Sequence, residues 1–259
     1  LNQGFNLVAT LIYTPLIFKT VGDEGFGVIH LIFSIIMILS TVVYYGYNLN
    51  GPKMIADPKD KFSVYIFINE ILSLRIFLSL LIIIILIPFL LFHFNYFNII
   101  FIYSLCILLC EALNPIFYLQ GINKIFPFSL LNFLSKFLMI IMFFVFINDK
   151  DDAHLVNFLY GISILFFYII YWVNFYVKNN LRFNFYFTNL IIKIKTNFKF
   201  FLSTLFEHFT VNSALIIVSF FVSNKELGKF TLSYKVAFLL RLIPIFFLQS
   251  ALQKAIYLK

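Results

Sequence analysis

The chain has 259 residues, 62% of them apolar and 21% aromatic, with only 12% charged and a mean hydropathy of +0.98. An ordinary soluble domain is about 25% charged, and a fold this size needs a polar skin that so few charges beside 38 Phe residues do not supply, which excludes a soluble globular protein, a coiled coil and a disordered chain. A net charge of +8 spread this thinly leaves no footprint for nucleic acid, and two cysteines make neither a disulfide framework nor a zinc site.

A helix crosses the hydrocarbon core of a bilayer with about 20 apolar residues, and eight such runs follow one another along this sequence. The first two, Leu1 to Phe18 and Phe26 to Tyr47, flank a turn that holds Lys19, acidic residues and glycines. No small-residue cleavage site follows the first run, so it reads as a span and not as a signal peptide. The third, Ser63 to Phe92, carries Glu70 and Arg75 and is long enough for its first turns to protrude. The fourth, Phe97 to Leu119, places Cys106 and Cys110 one turn apart as small apolar side chains, and lines up Ser104, Glu111, Asn114 and Tyr118 on one stripe. The fifth, Phe128 to Ile147, carries a matching stripe of Ser129, Asn132 and Lys136. An acidic loop with Asp149, Asp151 and Asp152 then reads as a solvated turn and not as a metal site. The sixth run is Leu155 to Val177, the seventh Phe200 to Val222 with Glu207, His208 and Asn212, and the eighth Phe230 to Ser250 with Lys235, Arg241 and Pro244.

The connecting segments alternate between two faces, and their positive charges divide unequally. One face carries Lys53, Lys59, Lys61, Lys124, Lys178, Arg182, Lys193, Lys195, Lys199, Lys254 and Lys259, the other only Lys19, Lys150, Lys225 and Lys229. Eleven against four places the first face, and the amino terminus, in the cytoplasm. The stretch around Leu190, Ile191, Ile194, Phe198 and Phe201 has an apolar stripe with Lys193, Lys195 and Lys199 elsewhere on the wheel, which predicts a helix lying on the inner leaflet against anionic lipids. The expected fold is therefore all-α, a polytopic inner-membrane helix bundle. Residues 1–178 form a six-helix lobe, 179–199 a basic amphipathic cytoplasmic linker, and 200–259 the first two helices of a second lobe.

An internal repeat supports two lobes. The segment TVGDEGFGVIHLIFSII from Thr20 aligns with SNKELGKFTLSYKVA from Ser223, with Gly27 over Gly228, Phe26 over Leu227 and Ile29 over Phe230, and each copy opens a helix at the same face. The segments PLIFKTVGDEGFGVIHLIFSI from Pro15, YYGYNLNGPKMIA from Tyr44 and FYLQGINKIFPFSLLNFLSK from Phe117 resemble the polysaccharide-transporter family. These are the O-antigen and capsule repeat-unit flippases of the Wzx type, within the multidrug/oligosaccharidyl-lipid/polysaccharide exporter superfamily. Phe117 and Tyr118 stand where that family often has Trp. The resemblance implies about twelve to fourteen helices in two lobes, so the second lobe is expected to be truncated here. It further implies alternating access, with an undecaprenyl-diphosphate-linked oligosaccharide as cargo and a polysaccharide polymerase and chain-length proteins as neighbours in the pathway.

An ionisable side chain within a span costs several kcal/mol unless it is paired, snorkels or faces water. Arg241, near the middle of the eighth span, is the expected holder of the diphosphate because a guanidinium keeps its charge and presents forked donors. Lys136, Arg75, Asn114 and Asn132 are further candidates for the cavity wall. Glu111 and Lys136 lie level on adjacent spans and are expected to form an ion pair. Glu207 beside His208, together with Glu111, are the candidates for ion coupling. No cofactor and no enzymatic activity are expected. A multidrug or other lipid-precursor exporter of the same superfamily is the alternative, and a membrane-embedded glycan polymerase or acyltransferase a more distant one. Cysteines introduced at Lys53 and Lys193 are expected to react with an impermeant maleimide only after the membrane is permeabilised, and labelling of intact cells would reverse the orientation.

Overall fold

The computed structural model describes residues 2–57, 61–92, 95–187 and 190–237, and every regular element among them is a helix. The elements are α1 (Asn2–Tyr44), α2 (Tyr47–Ala56), α3 (Lys61–Phe92), α4 (Tyr96–Ser104), α5 (Cys106–Ala112), α6 (Ile116–Gly121), α7 (Ile125–Phe146), α8 (Ala153–Lys178), α9 (Leu190–Ser219) and α10, whose described part covers 224–237. Long apolar helices of membrane-spanning length make the chain a multi-pass membrane protein.

α1 is two spans and not one. Gly22 sits at φ 75°, ψ 176°, a conformation that a residue with a Cβ rarely adopts, and the chain folds back there. Phe18 and Phe26 meet edge to face at 5.2 Å, and Tyr13 and Ile17 share a cavity wall with His30 and Phe33. A straight helix would hold Tyr13 and Phe33 about 30 Å apart. The first leg (2–21) and second leg (23–44) thus correspond to the first two predicted runs. The fourth run is segmented into α4, α5 and α6, and the break before α6 falls at Pro115, which has no N–H to give.

The stretch predicted as an inner-leaflet helix is continuous with the seventh predicted span. Residues 190–219 are continuous in α9, so the basic stretch forms the opening turns of the seventh span. Ahead of it, residues 181–187 run extended along α3. Tyr65 Oη donates to the Arg182 carbonyl, the Asn184 N–H to Asn69 Oδ1 at 3.4 Å, and the Tyr186 N–H to Ser73 Oγ at 3.1 Å. The register is geometric: two extended residues advance about 6.6 Å and four helical residues about 6.0 Å. Tyr65, Asn69 and Ser73, spaced by four, therefore meet every second residue of the extended segment.

Lipid is as apolar as Leu, so burial of apolar surface alone does not draw these helices together, and close backbone approach and buried hydrogen bonds carry the packing. The second leg is the centre of the main core: Ile29, Ile32 and Ile36 are buried against Ile100, Ile107 and Val156. Asn157 on α8 donates to the Ile29 carbonyl at 3.1 Å and to Ser104 Oγ at 2.9 Å, which ties three helices with one amide. Phe77, Ile84, Phe89, Phe137, Phe144 and Phe166 point outward, as a lipid-facing surface requires.

The two glycine turns aligned in the sequence meet in space. A Cβ on Gly27 would lie 2.6 Å from the Asn224 carbonyl oxygen and 2.8 Å from the Gly228 nitrogen, and one on Gly228 would overlap the Asp23 carbonyl. Gly228→Ala is therefore expected to cost about 2 kcal/mol of stability through overpacking. Gly161→Ala, where the nearest atoms stand 3.3 Å away, is expected to stay within about 1 kcal/mol of the parent. Unfolding in detergent reads both, and equal stability for the two variants would contradict a tight glycine seam.

Candidate functional site

The second leg of α1 packs on the helices after the linker near both of its ends and, through Leu31 and Ile35, along one side of its middle, while His30, Phe33 and Ser34 face a cavity. At the glycine-turn face lies the Gly27–Gly228 seam. At the opposite face Gly46, at φ 76°, brings its backbone against α9, where a Cβ would lie 2.6 Å from the Phe201 nitrogen. Tyr45 stacks on Phe201 at 4.9 Å with the rings 9° from parallel, and Asn50 Nδ2 donates to Asn197 Oδ1 at 2.9 Å. Lys193 and Glu70 form an ion pair at 2.6 Å.

Between these contacts lies a cavity of about 260 Å³, walled by both legs of α1, α7, α8, α9 and α10. Its polar lining is Tyr13, His30, Ser34, Asn157, Tyr160, Asn212, Tyr234 and Lys235, without a carboxylate among the described residues that line it. Lys235 Nζ lies 2.8 Å from His30 Nε2, 5.4 Å from the centre of the Phe26 ring and 5.7 Å from that of Tyr13. Both ring distances are within cation–π range. Phe26 packs edge to face on His30 at 4.4 Å, which fixes the imidazole. α10 enters from the glycine-turn face, so Lys235, seven residues past Gly228, lies about 10 Å beyond the seam.

A second polar constellation is closed off inside the bundle. The break at Pro115 leaves the carbonyls of Leu113 and Asn114 without helical donors. Trp172 Nε1 donates to the first at 2.7 Å and Arg75 Nη1 to the second at 3.2 Å. Arg75 is 0% exposed, and its Nη2 donates to Asn48 Oδ1 at 2.8 Å. Its guanidinium lies over the Phe117 ring at 4.7 Å and the Tyr44 ring at 5.7 Å. Asn114 Nδ2 donates to Glu111 Oε2 at 2.8 Å, so the buried Arg75 and Asn114 and the half-buried Asn48 and Glu111 form one network across α2, α3 and the α5–α6 break.

The structure places the expected site residues unequally. Arg75, Asn114 and Glu111 come together, but as this network and not on the wall of the cavity. Of the two residues expected to pair, Glu111 accepts from Asn114 Nδ2 on the Arg75 side, and Lys136 stands half-buried on α7. Asn132 Oδ1 accepts from Tyr168 Oη at 3.1 Å and links α7 to α8. Glu207 is exposed, whereas the half-buried His208 faces the Tyr44 ring at 6.1 Å. Successive helical residues point about 100° apart, and the two do not share a face. Arg241 lies outside the described residues. The acidic loop caps its own turn, with Asp152 Oδ2 accepting from the Asn148 N–H at 2.8 Å and Asp149 Oδ1 from the Asp151 N–H at 2.9 Å. Lys235, on the eighth predicted span, meets His30. Sequence reasoning missed the pairing because the two residues are 205 positions apart. The signal available was the repeat itself: His30 lies three residues after Gly27, and Lys235 seven after Gly228 on the aligned helix.

A family model described as polysaccharide biosynthesis protein matches residues 1–253. No curated relative and no solved structure matches the chain.

The Arg75 network makes a stability prediction. Lysine keeps the charge but cannot donate to both Asn48 and the Asn114 carbonyl from a planar fork. Arg75→Lys is expected to lower stability by about 2 kcal/mol, the worth of one lost hydrogen bond to a charged group. Detergent unfolding measures it, and a lysine variant as stable as the parent would show that the fork geometry is not required.

Proposed function

Because the chain belongs to the polysaccharide biosynthesis protein family, we propose that it is a flippase of the cell inner membrane. It moves an undecaprenyl-diphosphate-linked oligosaccharide, an O-antigen or capsule repeat unit, to the outer leaflet by alternating access and makes no covalent change to it. The observation that carries this reading is the cavity between the second leg of α1 and the α9–α10 pair. It holds an ammonium, amides and hydroxyls and no carboxylate among its described lining residues, which suits an anionic headgroup. The aromatic rings around it suit the flat faces of sugar rings.

In this reading the amino terminus is cytoplasmic, the glycine-turn face is the exterior, and the basic segments including Lys53 and Lys193 meet anionic lipid at the inner leaflet. The lobe before the linker and the helices after it rock against each other, the contacts of Gly46, Tyr45 and Glu70 parting when the cavity admits cargo and the Gly27–Gly228 seam parting when it releases it. Arg241 and Lys136 are assigned to the diphosphate, with Asn132 nearby on α7. Arg75 and Asn114 are bound into the fold and keep the first lobe rigid. Among the residues assigned to ion coupling, His208 faces the first lobe through Tyr44. Glu111 is held in the Arg75 network, and Glu207 is exposed. A drug exporter would favour a cavity that attracts lipophilic cations, and the Lys235 ammonium opposes that.

The full chain in proteoliposomes with a tritiated polyprenyl-diphosphate oligosaccharide tests the assignment, with a membrane-impermeant sugar oxidant reporting the exposed leaflet. Transfer is expected to exceed the protein-free rate, and Asn212→Leu, which puts an apolar side chain into the cavity, is expected to slow it about tenfold, equivalent to roughly 1.4 kcal/mol. No transfer above background, with extrusion of a lipophilic cation dye instead, would favour the drug-exporter reading.

A further inference from the structure

The pairing of His30 with Lys235 has a charge balance that a merely structural contact would not need. The imidazole nitrogen can accept the 2.8 Å hydrogen bond only while it is unprotonated, because a protonated ring has a donor at both nitrogens. No carboxylate lines the cavity among the described residues, so nothing there neutralises a second positive charge. The pair joins the second leg of α1 to α10 inside the Gly27–Gly228 seam, His30 about 4.5 Å and Lys235 about 10 Å along their helices from it. Those two elements also bury Leu31 and Leu227 in one small apolar cluster with Leu215 on α9.

We propose that His30 and Lys235 form a proton-operated latch: one proton on the pair holds the glycine-turn face shut, and a second proton opens it. In the shut state Lys235 carries the proton and donates to His30 Nε2. A proton taken up by His30 abolishes the acceptor and sets an imidazolium against an ammonium, and the two elements separate. Loss of that proton restores the acceptor and the contact. The inference rests on the alternating-access reading, because it assigns the titration to one of the two gates. It also gives the anionic headgroup a counter-charge when the cavity opens outward.

The neighbouring titratable groups leave this assignment to the pair. Tyr13, Tyr160 and Tyr234 face the same cavity, and tyrosine hydroxyls keep their protons well above neutrality. On the surrounding elements, Lys136 of α7, Glu111 of α5, and Glu207 and His208 of α9 are not among the cavity's lining residues. Lys19, Asp23, Glu24, Lys150 and His154 sit at or near the turns of that face. An imidazole in water is half-protonated near pH 6.5, so the separated state gains about thirtyfold over the shut state on passing from pH 8 to pH 5.

The test uses the full chain in proteoliposomes free of lipid-linked sugar, so that its failure is distinct from a failure of the transport assignment. Spin labels are attached at Glu24→Cys and Lys225→Cys, two exposed sites on either side of the seam, with Cys106→Ala and Cys110→Ala as background. Electron–electron resonance is expected to show a short distance at pH 8 and a longer population that grows at least tenfold at pH 5. His30→Gln keeps an acceptor that does not titrate and is expected to remain at the short distance at both pH values. Lys235→Gln removes the repelled charge and is expected to lose the response as well, which keeps the test intact if either variant folds poorly. Identical distance distributions at the two pH values in the parent, or an undiminished response in the His30→Gln protein, would overturn the latch.

Discussion

The architecture depends on how closely the second leg of α1 can approach the helices that follow the linker. In hydrocarbon there is little gain from hiding one apolar side chain against another, so contacts between large residues do not fix which helices touch. Backbone approach does, and it occurs at the two ends of this leg: at Gly27 with Gly228, and at Gly46 with the turn of α9 around Phe201. Each would be blocked by a single added methyl group. Between the ends, Leu31 and Ile35 pack on Leu215, Ile216 and Leu227, and the cavity opens on the side of the leg that carries His30, Phe33 and Ser34.

The buried charges follow the same economy. The guanidinium inside the bundle donates from Nη1 to the Asn114 carbonyl exposed by the break at Pro115 and from Nη2 to Asn48, and lies between two aromatic faces, while its buried Nε is left without a hydrogen-bond partner among the described residues. The network ties α2, α3 and the α5–α6 break together. Lys235 has a different environment, with a neutral imidazole and two rings and no anion.

Much of the fold was legible in the sequence for simple reasons. Run length and apolar content locate spans because the bilayer sets both: seven runs reappear as the two legs of α1, as α3, the α4–α6 series, α7, α8 and α9, and the described residues of the eighth, 230–237, lie in α10. The alignment of Gly27 with Gly228 pointed to a relation between two turns, and the structure adds that the turns touch. At residues 190–199 the apolar stripe does not mark the packed face: Ile194 and Phe198 are exposed, whereas Asn197 is buried against Asn50 of α2 and Lys193 pairs with Glu70 of α3. Helix-by-helix depth placed Glu111 and Lys136 level, but rotation about the helix axis decides partners, and the break at Pro115 associates Glu111 with Asn114 and the Arg75 network. The His30–Lys235 contact joins the second and eighth spans, and one-dimensional patterning carries no information on that rotation.

The most direct measurement of the central claim is photo-crosslinking of a radiolabelled polyprenyl-diphosphate oligosaccharide to the full chain, with benzoylphenylalanine placed at Tyr234 on the cavity wall or at Phe144 on the lipid-facing surface. The account predicts a labelled adduct at Tyr234 that an excess of unlabelled lipid-linked oligosaccharide displaces, and only weak labelling at Phe144 that it does not. Equal, non-displaceable labelling at both positions would mean that the glycolipid only dissolves in the surrounding bilayer, and the cavity would lose its assigned cargo.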